Sequence, residues 1–293
     1  MSELSRSGGG LPGVGLVRNR ARTKANIKEL LFPTTLDLAH GPLLSRFLKT
    51  PVVVLSAHFD DACFSLGGLL ETIHQGTLIN VFTAGRYLAK PRKESPQEAD
   101  VFIIRDAEDE QFAHACGLCR IDLKCKEPAL YGRHVGDLSG VAADLEQIME
   151  PVLQAIAKIA AGFREWEKGY LFVPLGIGHH CNHRALNELI LQNLDAISQN
   201  YEVLFYEDQP YAASPFNRLT ALLRVARRLD TSITARYVLR NDWAQKKSLI
   251  EFYPTQLRTP PRRWRFRPAA LSPLSPHEAF WTFPLNGAPH VAE

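Results

Sequence analysis

Four short apolar runs constrain this chain more than any other feature. They are residues 52–55, 78–83 ("LINVFT"), 170–173 and 202–206 ("EVLFY"), all rich in β-branched and aromatic side chains. Each is short and nearly continuous, which is how a strand buried on both faces reads. Helical spacing fills the gaps. From about Asp61, the apolar residues Phe64, Leu66, Leu69, Leu70 and Ile73 recur every three or four positions until Gly76. Further helices are expected over 97–115, 139–163 (with Pro151 as a point where the chain can bend) and 184–197, and a weaker strand over 121–125. Strand and helix alternating at this spacing predict an α/β fold, with a mostly parallel sheet and helices on both faces.

Beyond about Ser214 the pattern weakens. Helices over 219–229 and 243–252 are followed by Pro-rich segments. The expected organisation is a flexible Gly- and Arg-rich arm over 1–25 and one domain over 26–256. A Pro- and Arg-rich irregular extension over 257–293 would pack on or near that domain.

Polar side chains appear where two of the buried strands should end. "SAHFDDACFSLGG" (56–68) follows the first run and places His58, Asp60 and Asp61 in a strand-to-helix turn. "PLGIGHHCNHRAL" (174–186) follows the third and carries His179, His180 and His183. In sheets of this kind ligands sit at the carboxyl ends of strands. His58 and Asp61 could reach one point while Asp60 reaches another. Two adjacent carboxylates repel unless a cation relieves them. His180 and His183 share one side of a helix start, and Asn182 reads as its N-cap. Together the clusters offer two His, one Asp and spare acid–base groups, the composition of a catalytic zinc site with an open position for water. Either cluster alone reads as a solvated turn or a hydrogen-bonded structural histidine.

Composition narrows the function classes. The chain has 293 residues, 45% hydrophobic, with a net charge of only +3 and interspersed signs, so nucleic acid is not an expected partner. The basic stretch 258–267 ("RTPPRRWRFR") is the local exception. Five cysteines do not form the even set of a secreted disulfide framework. No apolar segment suits a signal peptide or a membrane span. The expectation is a soluble, cytoplasmic protein without nucleic-acid or membrane partners.

"AHFDDACFSLGG" resembles the A-H-P-D-D-E…G-G motif of the PIG-L/LmbE-like N-acetyl-sugar deacetylases, and "GIGHHCNHRAL" resembles their second, histidine-rich motif. Weaker echoes are "TAG" (83–85), Arg105 with Glu108 and Gly117, "YEDQPY" (206–211), and Lys246 with Tyr253, Thr255 and Gln256. The resemblance spans roughly residues 50–256. It implies a Rossmann-like (LmbE-like) sheet and a cytoplasmic hydrolase that takes an N-acetyl group from an amino sugar or glycosylated metabolite, with room for a homo-oligomer. It further implies that His58, Asp61 and His183 bind Zn²⁺, with Fe²⁺, Co²⁺ or Ni²⁺ as substitutes. Asp60 would be the general base, and His180, protonated, would stabilise the oxyanion or protonate the leaving amine. Arg86, Arg105, Tyr206, Asp208 and Tyr211 are candidate substrate contacts. Three residues depart from the motif: Phe59 for proline, Ala62 for the acidic residue, and Asn182 for the aspartate between the histidines. If that aspartate normally bonds the acid histidine, Asn182 would stabilise its protonated form less.

Other readings remain. A zinc amidase on a non-acetyl amide keeps the metal and changes the bond. A non-catalytic nucleotide-binding protein would use "GIG" (176–178), although no lysine completes a phosphate loop. A nucleic-acid-associated protein would work through the arginine tail. "CGLC" (116–119) lacks a second ligand pair and reads as packing. Cys181 is a weak candidate nucleophile, and His179 a residue of the site mouth.

Overall fold

The computed structural model describes residues 34–89, 98–164, 168–229, 235–257 and 277–283. The strands are β1 (Thr34–Asp37), β2 (Val52–Ser56), β3 (Thr77–Asn80), β4 (Cys119–Asp122), β5 (Gly169–Pro174), β6 (Tyr201–Tyr206), β7 (Ala235–Arg240) and β8 (His277–Thr282). The helices are α1 (Pro42–Phe47), α2 (Asp61–Ile73), α3 (Glu98–Ala115), α4 (Val141–Ala160), α5 (Cys181–Gln192), α6 (Leu194–Ile197), α7 (Pro215–Leu229) and α8 (Trp243–Ile250). All the strands join one sheet in the order β1-β7-β8-β6-β5-β2-β3-β4. Every pairing is parallel except those of β8, which runs against both β6 and β7.

The pleat explains why the runs are continuously apolar. Val53, Leu55, Leu171, Val173, Val203, Phe205 and Trp281 feed one core beneath α4, α5 and α7. Their neighbours Val52, Val54, Tyr170, Phe172, Leu204, Tyr206 and Phe280 feed the other, beneath α1, α2 and α8. Successive side chains point to opposite faces, and both faces are covered. Among the described residues no helix is long and apolar enough to cross a membrane. The arm over 1–25 and the basic stretch 258–267 lie outside the described residues.

The tail departs from expectation. Residues 277–282, assigned to the irregular extension, are a buried strand inside the sheet rather than a layer upon it. The run "HEAFWT" is short and carries a buried glutamate, so it gave no clear strand signal. That glutamate has a defined task. The carboxylate of Glu278 accepts the N–H groups of Gly68 (2.7 Å) and Leu69 (2.8 Å) in α2, and pairs with the Lys246 ammonium of α8. A Cβ at Gly68 would come within 2.6 Å of the Asn241 side chain, which would have to move to admit it. Two other candidate motif residues are clasps of the same kind. Tyr253 donates to Asp109 at 2.6 Å, and Glu108 receives the Thr255 N–H at 3.0 Å and its hydroxyl at 2.7 Å.

Glu278→Gln leaves the Lys246 ammonium buried without a counter-charge, so it is expected to cost about 3–5 kcal/mol. Adding Lys246→Met should recover most of that loss. Urea unfolding midpoints of the single and double variants check this, and an unshifted midpoint in the single variant contradicts it.

Candidate functional site

Both polar clusters lie at the carboxyl edge of the sheet, one after β2 and the other after β5, its neighbour. The first is a tight turn tied by its own side chains. Ser56 Oγ donates to the His58 carbonyl (2.6 Å) and accepts the Ala62 N–H (3.0 Å). Asp61 Oδ2 accepts the His58 N–H at 2.8 Å. Phe59, where proline would pre-set the turn, is fully buried, with its ring under the Arg105 guanidinium at 5.6 Å. Burial here replaces the missing ring constraint.

After β5 the chain passes Gly176 (φ 71°) and Gly178 (φ 90°) into α5. His180, not Asn182, holds the cap position. The carbonyls of Leu175 and Gly176 accept from Arg224, and a Cβ on Gly178 would press on the Tyr211 ring. Protein groups fill this turn, which speaks against a phosphate loop.

The two segments converge. Asp61 Oδ2 lies 3.0 Å from His58 Nδ1 and 3.3 Å from His183 Nε2. Ring nitrogens of His58, His180 and His183 lie within 4.8 Å of one another. Donors 2.0–2.2 Å from a tetrahedral cation sit about 3.4 Å apart, and the two contacts of Asp61 are near that spacing, while the wider set of mutually close donors is His58, His180 and His183. Outward nitrogens are pinned too. His183 Nδ1 faces Asp208 Oδ1 at 2.7 Å, and His58 Nε2 faces Asn182 Nδ2 at 3.0 Å. Asp208 Oδ2 also accepts the Ile177 N–H at 2.9 Å. His180 Nδ1 is buried and has no partner among the described residues, as expected of a group whose partner is a ligand or a proton in transit.

Electrostatics sorts these groups. Burial opposes charge on Asp61, but His183 and His58 hold its carboxyl well below the usual range. Burial lowers His183, yet Asp61 and Asp208 outweigh it and raise the imidazole to about 10. Asp60 moves the other way, raised to about 6 by burial and by Asp61, against the pull of Arg105. His180 is held well below its ordinary value by burial and then by the His58 and His183 rings, so it rests as a neutral imidazole. The expected standing positive charge on His180 therefore finds no support. Nor does the expected Asn182 link to the acid histidine, because Asn182 serves His58 instead.

Three candidate substrate contacts are turned inward. Tyr206 is fully buried and donates to the Leu55 carbonyl at 3.0 Å. Asp208 is buried behind His183. Arg105 is 2% exposed and pairs with Glu127 at 2.6 Å, with Asp60 at 3.8 Å. Helix spacing could not reveal this, because Glu127 comes from the loop after β4 and gave no motif signal. Gly85 leaves room for its carboxylate, which a Cβ would meet at 2.3 Å. Tyr211 remains at the site, edge-on to His183 at 5.7 Å, while His179, next to His180, and Arg86, after β3, are exposed. All five cysteines are free. Burial, then Asp144, raises the Cys181 thiol to about 12, which disqualifies it as a nucleophile.

Known proteins resemble this chain in sequence and in fold. The family model for GlcNAc-PI de-N-acetylase (PIG-L) matches residues 53–194. The 2'-N-acetylparomamine deacetylase of Streptomyces fradiae is 27% identical over 187 residues, which cover 61% of this chain. The match spans 64% of that relative's length. Among solved structures, the A40926 pseudoaglycone deacetylase superposes with a TM-score of 0.54 at 21% identity, over 82% of this chain and 100% of that one. A deacetylase solved in complex with teicoplanin gives 0.53 at 15% identity, over 80% and 98%. At such identities these structures establish the common fold. The segment that matches the PIG-L de-N-acetylase family model, residues 53–194, holds both halves of the site.

Proposed function

We propose that this chain is a metal-dependent amide hydrolase that removes the N-acetyl group from an amino sugar carried on a larger metabolite. The observation that carries the reading is the Asp61 carboxylate, set between His58 Nδ1 and His183 Nε2 from a distant part of the chain. His58, Asp61 and His183 would hold a divalent cation such as zinc. The cation would lower the pKa of water to roughly 7 and polarise the amide carbonyl. Asp60 is then the general base. It lies beside the ligand set, is more open than Asp61, and at about 6 is matched to proton transfer near neutrality. Water adds to the carbonyl carbon and gives its proton to Asp60. The C–N bond breaks as the amine nitrogen takes a proton, leaving acetate and a free amine. His180, neutral at rest, can accept and pass on that proton or donate a hydrogen bond to the developing oxyanion.

Two features support a substrate larger than a monosaccharide. Exposed aromatic side chains lie in segments that follow strands at the carboxyl edge of the sheet: Tyr87 after β3, Tyr131 after β4 and Phe216 at the start of α7, after β6. Ala84, Ala99, Phe102, Ile103 and Lys124, from α3 and the segments after β3 and β4, line a depression of about 500 Å³. The relatives named for paromamine and teicoplanin chemistry point the same way.

A screen of N-acetylated sugars and glycosides with zinc-loaded protein, scored by acetate, tests the reading. Release of a larger acid instead would favour the amidase alternative. Asp60→Asn should keep its zinc and lose about 10²–10⁴-fold in kcat, the usual worth of a positioned base. Undiminished turnover contradicts that role. Arg105 is expected to hold Glu127 and Asp60 in place and not to touch substrate. Arg105→Met should cost about 3–5 kcal/mol by stranding the Glu127 charge, and Arg105→Met/Glu127→Met should recover much of it. An unshifted unfolding midpoint with a raised KM would return Arg105 to the substrate.

A further inference from the structure

We infer that Asn182 is a positioning residue for His58, and that its carboxamide supports the outward nitrogen of that ring with or without a cation at the site. The inference rests on the metal reading above. Asn182 is fully buried in the first turn of α5, with Nδ2 at 3.0 Å from His58 Nε2. A neutral imidazole carries one N–H and one lone pair. A donor facing Nε2 puts the lone pair there, so Nδ1 carries the proton, which Asp61 Oδ2 accepts at 3.0 Å.

A cation on Nδ1 takes up that position's lone pair and sends the proton to Nε2. Nε2–H then needs an acceptor where Nδ2 now stands. A half turn about χ2 brings Oδ1 into that place. Little opposes the turn, because the recorded contact of Oδ1 is the Cys181 thiol at 3.6 Å, a weak donor. An aspartate would serve the unloaded ring only if that ring took a second proton, as His183 does between Asp61 and Asp208. A leucine could serve neither state.

The partner histidine is held differently. His183 Nδ1 faces the Asp208 carboxylate, an acceptor in either state. One ligand ring is therefore backed by an anion and the other by a neutral, two-way group. A carboxylate raises the basicity of the imidazole it backs, and a carboxamide does so less. Asn182 thus sets a metal affinity below what aspartate would give and keeps the unloaded site satisfied.

The test is competition for zinc between a chromophoric chelator and the apo forms of the wild type, Asn182→Leu and Asn182→Asp. Asn182→Leu should bind zinc about 10- to 100-fold more weakly, and Asn182→Asp at least as tightly as the wild type. Thermal melts of the three apo proteins separate lost affinity from lost folding. If Asn182→Leu does not fold, the aspartate variant decides alone, and weaker binding by it overturns the inference. A wild type that binds one zinc, with Asn182→Leu indistinguishable from it, overturns the inference and leaves the metal reading standing. A wild type that takes up no zinc removes both.

Discussion

A buried carboxylate needs a positive partner, and the site is organised around that need. Asp61 lies against two imidazoles, and Asp208 sits behind one of them. Two carboxylates out of water beside neutral rings would be costly. The protein answers with a proton on His183, whose affinity for it rises to about 10 against the cost of burial. A divalent cation is the other answer, since it takes the same nitrogen and satisfies the same carboxylate. The groups that hold the proton are therefore the ones that the proposed metal site would use.

The surrounding structure serves that arrangement. β2 and β5 lie side by side, which brings residues over 120 positions apart into contact. Ser56 and the buried ring of Phe59 fix the first turn, and Arg224 with Tyr211 fixes the second. Asp60, one residue from Asp61, is kept apart electrostatically. It feels burial and Asp61 as penalties on its charge, against which Arg105, His58 and a backbone hydrogen bond favour its ionised form. Neighbouring carboxylates with affinities pushed in opposite directions can divide the work of ligand and base.

Much of this was legible in the sequence. Continuous apolar runs revealed the central strands because the parallel sheet is covered on both faces, so each run had no polar alternate to hide it. The two polar clusters stood out because charged groups at strand ends are hard to explain as packing, and the choice of His58, Asp61 and His183 within them came from the resemblance to the deacetylase motifs. The outer strands β1, β7 and β8 were not legible. Ala235–Arg240 carries two arginines, and the buried charge of Arg236 is met by Glu207 from a distant part of the chain. Glu278 likewise reads as a surface residue until Lys246 and two α2 amides are placed around it. Arg105 looked like an exposed helix residue or a substrate contact for the same reason, because its partner Glu127 is fixed by a loop without periodicity. Long-range charge pairing leaves no trace in local spacing.

The account's central claim is that the turn after β2 and the start of α5 share one cation. X-ray absorption at the zinc edge of the loaded protein tests this most directly. It should show one zinc per chain with histidine nitrogen and carboxylate or water oxygen at about 2.0–2.2 Å, and no sulfur. A sulfur shell near 2.3 Å, or zinc that never reaches one per chain, would contradict it.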